Sequence, residues 1–118
     1  MAGINNYSKE HLNYQKNQIM SLSPAQLVLK IYDYAIIGCK LKNSQKVSKA
    51  LIELISGLNF DYGEISLGLF RLYQYCLDII KKDKYEEALK ILSELRDAWV
   101  DVVKEESKPQ KNIKVKVV

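Results

Sequence analysis

Few side chains in this sequence are of the types that carry out chemistry. His11 is the single histidine, and Cys39 and Cys76 are the two cysteines. A metal site needs several nitrogen, sulfur or carboxylate ligands, usually at short and regular spacings, and the sequence has no such cluster. We therefore interpret His11 as a solvated side chain and the cysteines as reduced core residues of a cytosolic protein. No metal and no cofactor is predicted.

Paired acids are the remaining candidates for acid–base chemistry. Glu86-Glu87 and Glu105-Glu106 lie at the two ends of one predicted helix. Both pairs are interpreted as solvated charge, and the first also favours the positive end of the helix dipole. The sequence has no glycine-rich phosphate loop and no nucleophile elbow. The chain is therefore predicted to bind another protein and not to be an enzyme.

Charge is distributed unevenly along the 118 residues. The net charge of +4 comes from the last twelve residues, which hold four lysines and no acid, while the other 14 basic side chains balance the 14 acids. One hypothesis for this chain is a small nucleic-acid adaptor that uses the basic tail. The neutral charge of the rest of the chain argues against it. Because no apolar run approaches ~18 residues and no signal-peptide core is present, a single cytosolic domain is predicted.

Helix-start motifs and the spacing of apolar residues divide the chain into four elements. At Ser23-Pro24-Ala25-Gln26, Ser23 can cap a helix and Gln26 can reach back to its amide. Three further starts follow, namely a weaker one near Asn43, Asp61 with Glu64, and Asp83 with Glu86. The sequence predicts an all-α, antiparallel four-helix bundle over residues 23–106, with helices near 24–41, 44–59, 63–82 and 84–106.

The two ends of the chain differ from the bundle. Residues 1–22 mix apolar side chains such as Ile4 and Tyr7 with Asn, Gln, Ser and Lys. They are predicted to form a short helix or an extended arm that docks on the bundle. Residues 107–118 are polar until Ile113 and are predicted to form a flexible basic tail.

Two predicted helices carry more apolar surface than one bundle core requires. Each has two apolar rows. In the first helix, one row is Val28, Ile31 and Ala35, and the other is Leu29, Tyr32, Ile36 and Cys39. In the second helix, one row is Ile65, Leu69, Leu72, Cys76 and Ile79, and the other is Phe70, Tyr73, Leu77 and Ile80. Either the arm or a second copy of the chain covers this surplus apolar surface, or the surplus surface forms a groove that receives helices of a partner. Eight tyrosines favour the groove, because a tyrosine suits a surface that is sometimes covered and sometimes wet.

Three stretches of the sequence carry a resemblance to a known family. The stretches are Ser21 to Val28 with Ile31 to Ala35, Phe60 to Ile65 with Leu69, Leu72-Tyr73 and Tyr75, and Leu92 to Trp99. They resemble the SPxxLxxxLYDGA, D-x-x-x-G-E-I…L-x-x-LY-x-Y and LLxxLRxAW regions of the FliS family of flagellar secretion chaperones. The resemblance covers roughly residues 3 to 103, and Ile4 and Tyr7 fit a short family motif ahead of the bundle.

The resemblance implies a cytosolic export chaperone. Its client would be the C-terminal segment of flagellin, which it would keep from premature polymerisation and deliver to the flagellar type III export apparatus. Docking at the export gate and contacts with other flagellar regulators are implied as well. Ile4 and Tyr7 would make a regulatory contact. The implied client-binding residues are Leu27, Val28, Ile31, Tyr32, Ile65, Leu69, Leu72 and Tyr73.

Two alternatives stay open. Val28, Ile31, Leu69 and Leu72 could each be plain core, and Trp99 is assigned to the core. The alternative function is a structural helical bundle that homodimerises through its excess apolar faces.

Overall fold

The computed structural model describes residues 21–107, and every regular element in that range is helical. Helix α1 spans Pro24–Lys40, α2 Ser44–Ser56, α3 Glu64–Ile80 and α4 Tyr85–Ser107, with a 3-10 turn at Phe60–Tyr62. The predicted all-α class is confirmed for this part of the chain. Apart from their innermost residues, the predicted arm (1–22) and tail (107–118) lie outside the described range. Within residues 21–107, no helix is long and apolar enough to span a membrane.

The four helices pack in a ring around one core. Helix α1 lies against α2 and α4, and α3 closes the ring by contacting the same two helices. This arrangement agrees with a bundle, while the antiparallel direction of the helices stays a prediction. All four helices contribute to the core, whose buried members are Tyr32, Ala35, Cys39, Val47, Ala50, Leu51, Leu54, Tyr73, Cys76, Ile79, Ile80, Tyr85, Ala88 and Leu92.

The start of α1 has the predicted capping box. The Gln26 amide donates to Ser23 Oγ at 3.2 Å, and the Ser23 amide donates to Gln26 Oε1 at 2.9 Å. At the start of α2, Asn43 Oδ1 accepts from the Lys46 amide at 3.1 Å. These short-range bonds satisfy amides that the first helical turn leaves unpaired.

The predicted cap at Asp61 is wrong. Asp61 lies inside the 3-10 turn, and its amide donates to Asn59 Oδ1 at 3.0 Å. Helix α3 instead begins after Gly63, which has φ 61° and ψ −118° and offers no side chain to the helix. Glycine occupies this conformation because a Cβ atom would be strained there. The chain therefore makes a separate turn between α2 and α3 that the capping motif did not predict.

The two cysteines lie in the core as free thiols, as predicted. Burial raises the pKa of the Cys39 thiol to about 11 and that of the Cys76 thiol to about 12, from an ordinary value of 9.0. Both thiols therefore stay protonated in the folded chain at pH values where they ionise in the unfolded chain.

We expect the free energy of unfolding to fall as pH rises above about 9. Above that pH the unfolded chain releases thiol protons that the folded chain keeps, so each thiol lowers stability by about 1.4 kcal/mol per pH unit. The loss should continue towards pH 11 to 12, where the folded thiols ionise. Urea titrations at several pH values measure it, with the Cys39→Ala/Cys76→Ala variant as control. An equally steep fall in that variant would contradict the assignment to the thiols.

Candidate functional site

An apolar groove of about 610 Å³ opens between the four helices. The first turns of α1 and α3 form its two sides. The end of α2 and the following loop form a third, and Trp99 of α4 closes it. Its lining is mostly apolar and comprises Pro24, Leu27, Val28, Ile31, Glu53, Leu54, Ser56, Gly57, Leu58, Asn59, Tyr62, Ile65, Ser66, Leu69, Tyr73 and Trp99. We call this surface the groove.

The structure brings most of the predicted client-binding residues to this one place. Leu27, Val28, Ile31, Ile65, Leu69 and Tyr73 all line the groove. Tyr32 is fully buried and Leu72 is 39% exposed, and neither belongs to the lining. Residues from α1 and α3, some forty positions apart in sequence, thus share one surface. Ile4 and Tyr7 lie outside the described residues.

The groove has an exposed rim and a half-buried wall. Leu27 is 41% exposed and Ile65 is 70% exposed, so both present apolar side chains to solvent at the edge. Val28, Ile31 and Leu69 are partly buried and pack against the core. These three therefore serve the core and line the groove at once. The sequence left open whether these three residues bind the client or belong to the core, and their positions in the structure are compatible with both interpretations.

Three aromatic side chains joined by hydrogen bonds lie at the inner end of the groove. The Trp99 indole N–H donates to the Tyr32 hydroxyl oxygen at 3.1 Å, and the Tyr32 and Tyr73 hydroxyls are 2.5 Å apart. Burial raises the pKa of both tyrosines above the ordinary value of 10.0. Both phenols are therefore neutral near pH 7 and can donate hydrogen bonds.

Trp99 has two roles in the structure. It packs against the core, as the sequence predicts, and it also lines the groove, which the sequence did not predict. Sequence reasoning also missed the loop side of the groove, at Leu58, Asn59 and Tyr62. Gly57 and Gly63 flank that loop and were the available signal, since glycines close together in a helical pattern indicate a break.

Two exposed tyrosines lie away from the groove. Tyr34 is 51% exposed and has the Lys46 ammonium 5.8 Å from its ring centroid. The Tyr75 hydroxyl donates to the Glu87 carboxylate. Their polar contacts explain why these aromatic residues are tolerated at the surface. Among the described residues, no group of three or more His, Cys, Asp or Glu side chains is placed to hold a metal ion.

Comparison with known proteins identifies the family. The family model described as "Flagellar protein FliS" matches residues 5–106. The chain belongs to the FliS family. The match includes every groove residue and all of the four helices except the last residue of α4. Membership implies a flagellar chaperone role for this FliS-family chain. No curated protein and no solved structure matches it.

Proposed function

We propose that the chain is a cytosolic export chaperone that binds the C-terminal segment of flagellin. It would prevent premature polymerisation of flagellin and deliver it to the flagellar type III export apparatus, with the export gate and other flagellar regulators as further partners. The observation that carries the proposal is the groove. It gathers six of the eight residues implied by the family resemblance onto one apolar surface.

The chemistry of the groove suits a segment that folds when it binds. Such a segment loses conformational entropy and must bury a large apolar area in return, typically about 1,000–3,000 Å². The apolar rim at Leu27 and Ile65 supplies contact area that is exposed in the free chain. The client would continue beyond the groove over other exposed apolar side chains, such as Leu72 on α3.

We infer two further features that accompany this function. Neighbouring helices run antiparallel. Two contacts between α1 and α4 support this direction, because Tyr32 contacts Trp99, whereas Asp33, one residue later on α1, contacts Arg96, which lies three residues earlier on α4. The arm with Ile4 and Tyr7 covers apolar surface in the absence of the client and contacts regulators.

Size-exclusion chromatography with light scattering tests the function directly. The purified chain and the C-terminal segment of flagellin from the same organism should form a 1:1 complex without ATP. The fluorescence of Trp99, the single tryptophan, should change on mixing because Trp99 lines the groove. The N-terminal segment of the same flagellin is the control. A stable homodimer that ignores the C-terminal segment would refute the chaperone proposal and favour the structural alternative.

A further inference from the structure

The hydrogen-bond chain at the inner end of the groove has one proton more than it can use. Its three members offer three donors, the Trp99 N–H and the hydroxyls of Tyr32 and Tyr73. The Trp99 N–H donates to Tyr32, and a single bond joins the two hydroxyls. Two bonds use two donors. One hydroxyl proton is left for an acceptor outside the chain of three.

Contact with the groove decides which tyrosine holds this spare proton. If Tyr73 donated to Tyr32, the Tyr32 oxygen would accept twice and its own proton would point into a fully buried region. A buried donor without an acceptor is costly. If Tyr32 donates to Tyr73, the spare proton belongs to Tyr73, which lines the groove, whereas Tyr32 does not. The second order is favoured because Tyr73 is the member of the pair that borders a space that an acceptor can enter.

We propose that the Tyr73 hydroxyl donates a hydrogen bond to a main-chain carbonyl oxygen of the client, at a point where the client's helix ends. This inference rests on the function proposed above. Most carbonyl oxygens of a helix are already paired within it, whereas its last turn leaves four of them unpaired. An apolar side chain offers no acceptor. Tyr73 would thus fix the register of an otherwise apolar segment in the groove.

The lining supports an acceptor from the client over one from the protein. Ser66 donates its hydroxyl to the Asn59 carbonyl oxygen and not to Tyr73. Leu69, four residues before Tyr73 on α3, and Ile31 of α1 are apolar lining residues, and no polar residue of the lining accepts from the Tyr73 hydroxyl. Within the described residues the Tyr73 hydroxyl has only Tyr32 as a hydrogen-bond partner. A bound segment that excludes water from the groove must therefore supply the missing acceptor.

Two single-atom deletions separate this role from a structural one. Tyr73→Phe removes the spare donor, whereas Tyr75→Phe removes a hydroxyl of the same helix that bonds to Glu87 and lies away from the groove. Both variants keep Trp99 as a fluorescent reporter. We expect Tyr73→Phe to weaken binding of the flagellin C-terminal segment by about three- to tenfold, the effect of one neutral hydrogen bond. Tyr75→Phe should stay within about twofold of the wild-type affinity, although it also loses a side-chain hydrogen bond.

A set of synthetic segments with single amide-to-ester replacements completes the test. An ester carbonyl is a weaker acceptor than an amide carbonyl. One ester position should weaken binding to the wild-type chain and have no further effect on Tyr73→Phe, because both changes remove the same bond. If Tyr73→Phe fails to fold, the ester profile of the wild-type chain decides, and a flat profile overturns the inference.

Failure of this inference is distinguishable from failure of the proposed function. A wild-type chain that binds the segment, with Tyr73→Phe binding equally well, overturns the hydrogen bond alone. Equal losses in Tyr73→Phe and Tyr75→Phe also overturn it, because the loss would then not be specific to the hydroxyl of the groove residue. A wild-type chain that does not bind the segment overturns both proposals.

Discussion

The variant Leu27→Asp/Ile65→Asp should fold normally and bind the flagellin C-terminal segment at least about 100-fold more weakly than the wild-type chain. Both side chains lie at the exposed rim of the groove, at 41% and 70% exposure, so the core does not depend on them. A client that covers the rim would bury two unpaired carboxylates, and each costs several kcal/mol. Every 1.4 kcal/mol is a tenfold loss of affinity. Isothermal titration calorimetry measures the change.

The control variant Ile52→Asp/Leu67→Asp has the same charge and similar starting exposure. Ile52 is 56% exposed and Leu67 is 40% exposed, and both lie outside the groove lining. Its affinity should stay within about threefold of the wild type, because surface substitutions away from an interface have small effects. Equal losses in the two variants would show that net charge, and not the groove, governs binding.

Replacement of Gly38 by alanine should destabilise the fold by about 1–3 kcal/mol. A Cβ atom at this position of α1 would lie 2.8 Å from Val47 Cγ2 and 3.1 Å from the Val47 backbone nitrogen. Val47 is fully buried and its branched side chain has little freedom to move. Helices α1 and α2 would have to separate at the end where the turn joins them. Urea denaturation gives the free energy of unfolding.

Gly68 supplies the matched control for Gly38. It lies inside α3, and a Cβ atom there would meet nothing within 4 Å. Gly68→Ala should therefore stabilise the chain by about 0.5–1 kcal/mol, because alanine loses less conformational entropy in a helix than glycine. Similar gains in both variants would mean that α1 and α2 approach less closely at Gly38 than the structure shows.

The local parts of the fold were predictable because their causes lie within a few residues. The Ser23–Gln26 capping box needs only four consecutive positions, and it forms as expected. Val47, Leu51 and Leu54 follow the helical period, and all three are buried. The motif at Asp61 had the right spacing but failed. Gly63 provides a backbone conformation that starts α3 two residues later, and a spacing rule carries no information on φ.

The sequence by itself determined that this chain is helical, where its core stripes run, and that α1 and α3 carry surplus apolar rows. Only the tertiary structure decided which residues of those rows are buried and which are exposed. One row of α3 is buried at Cys76 and Ile79 and 70% exposed at Ile65. Burial along a helix depends on how far its neighbours extend, and α2 already ends at Ser56. The groove exists because all four helices meet there, and its Tyr32–Tyr73–Trp99 hydrogen-bond chain joins three of them. The apolar period of a single helix holds no information on which helices meet.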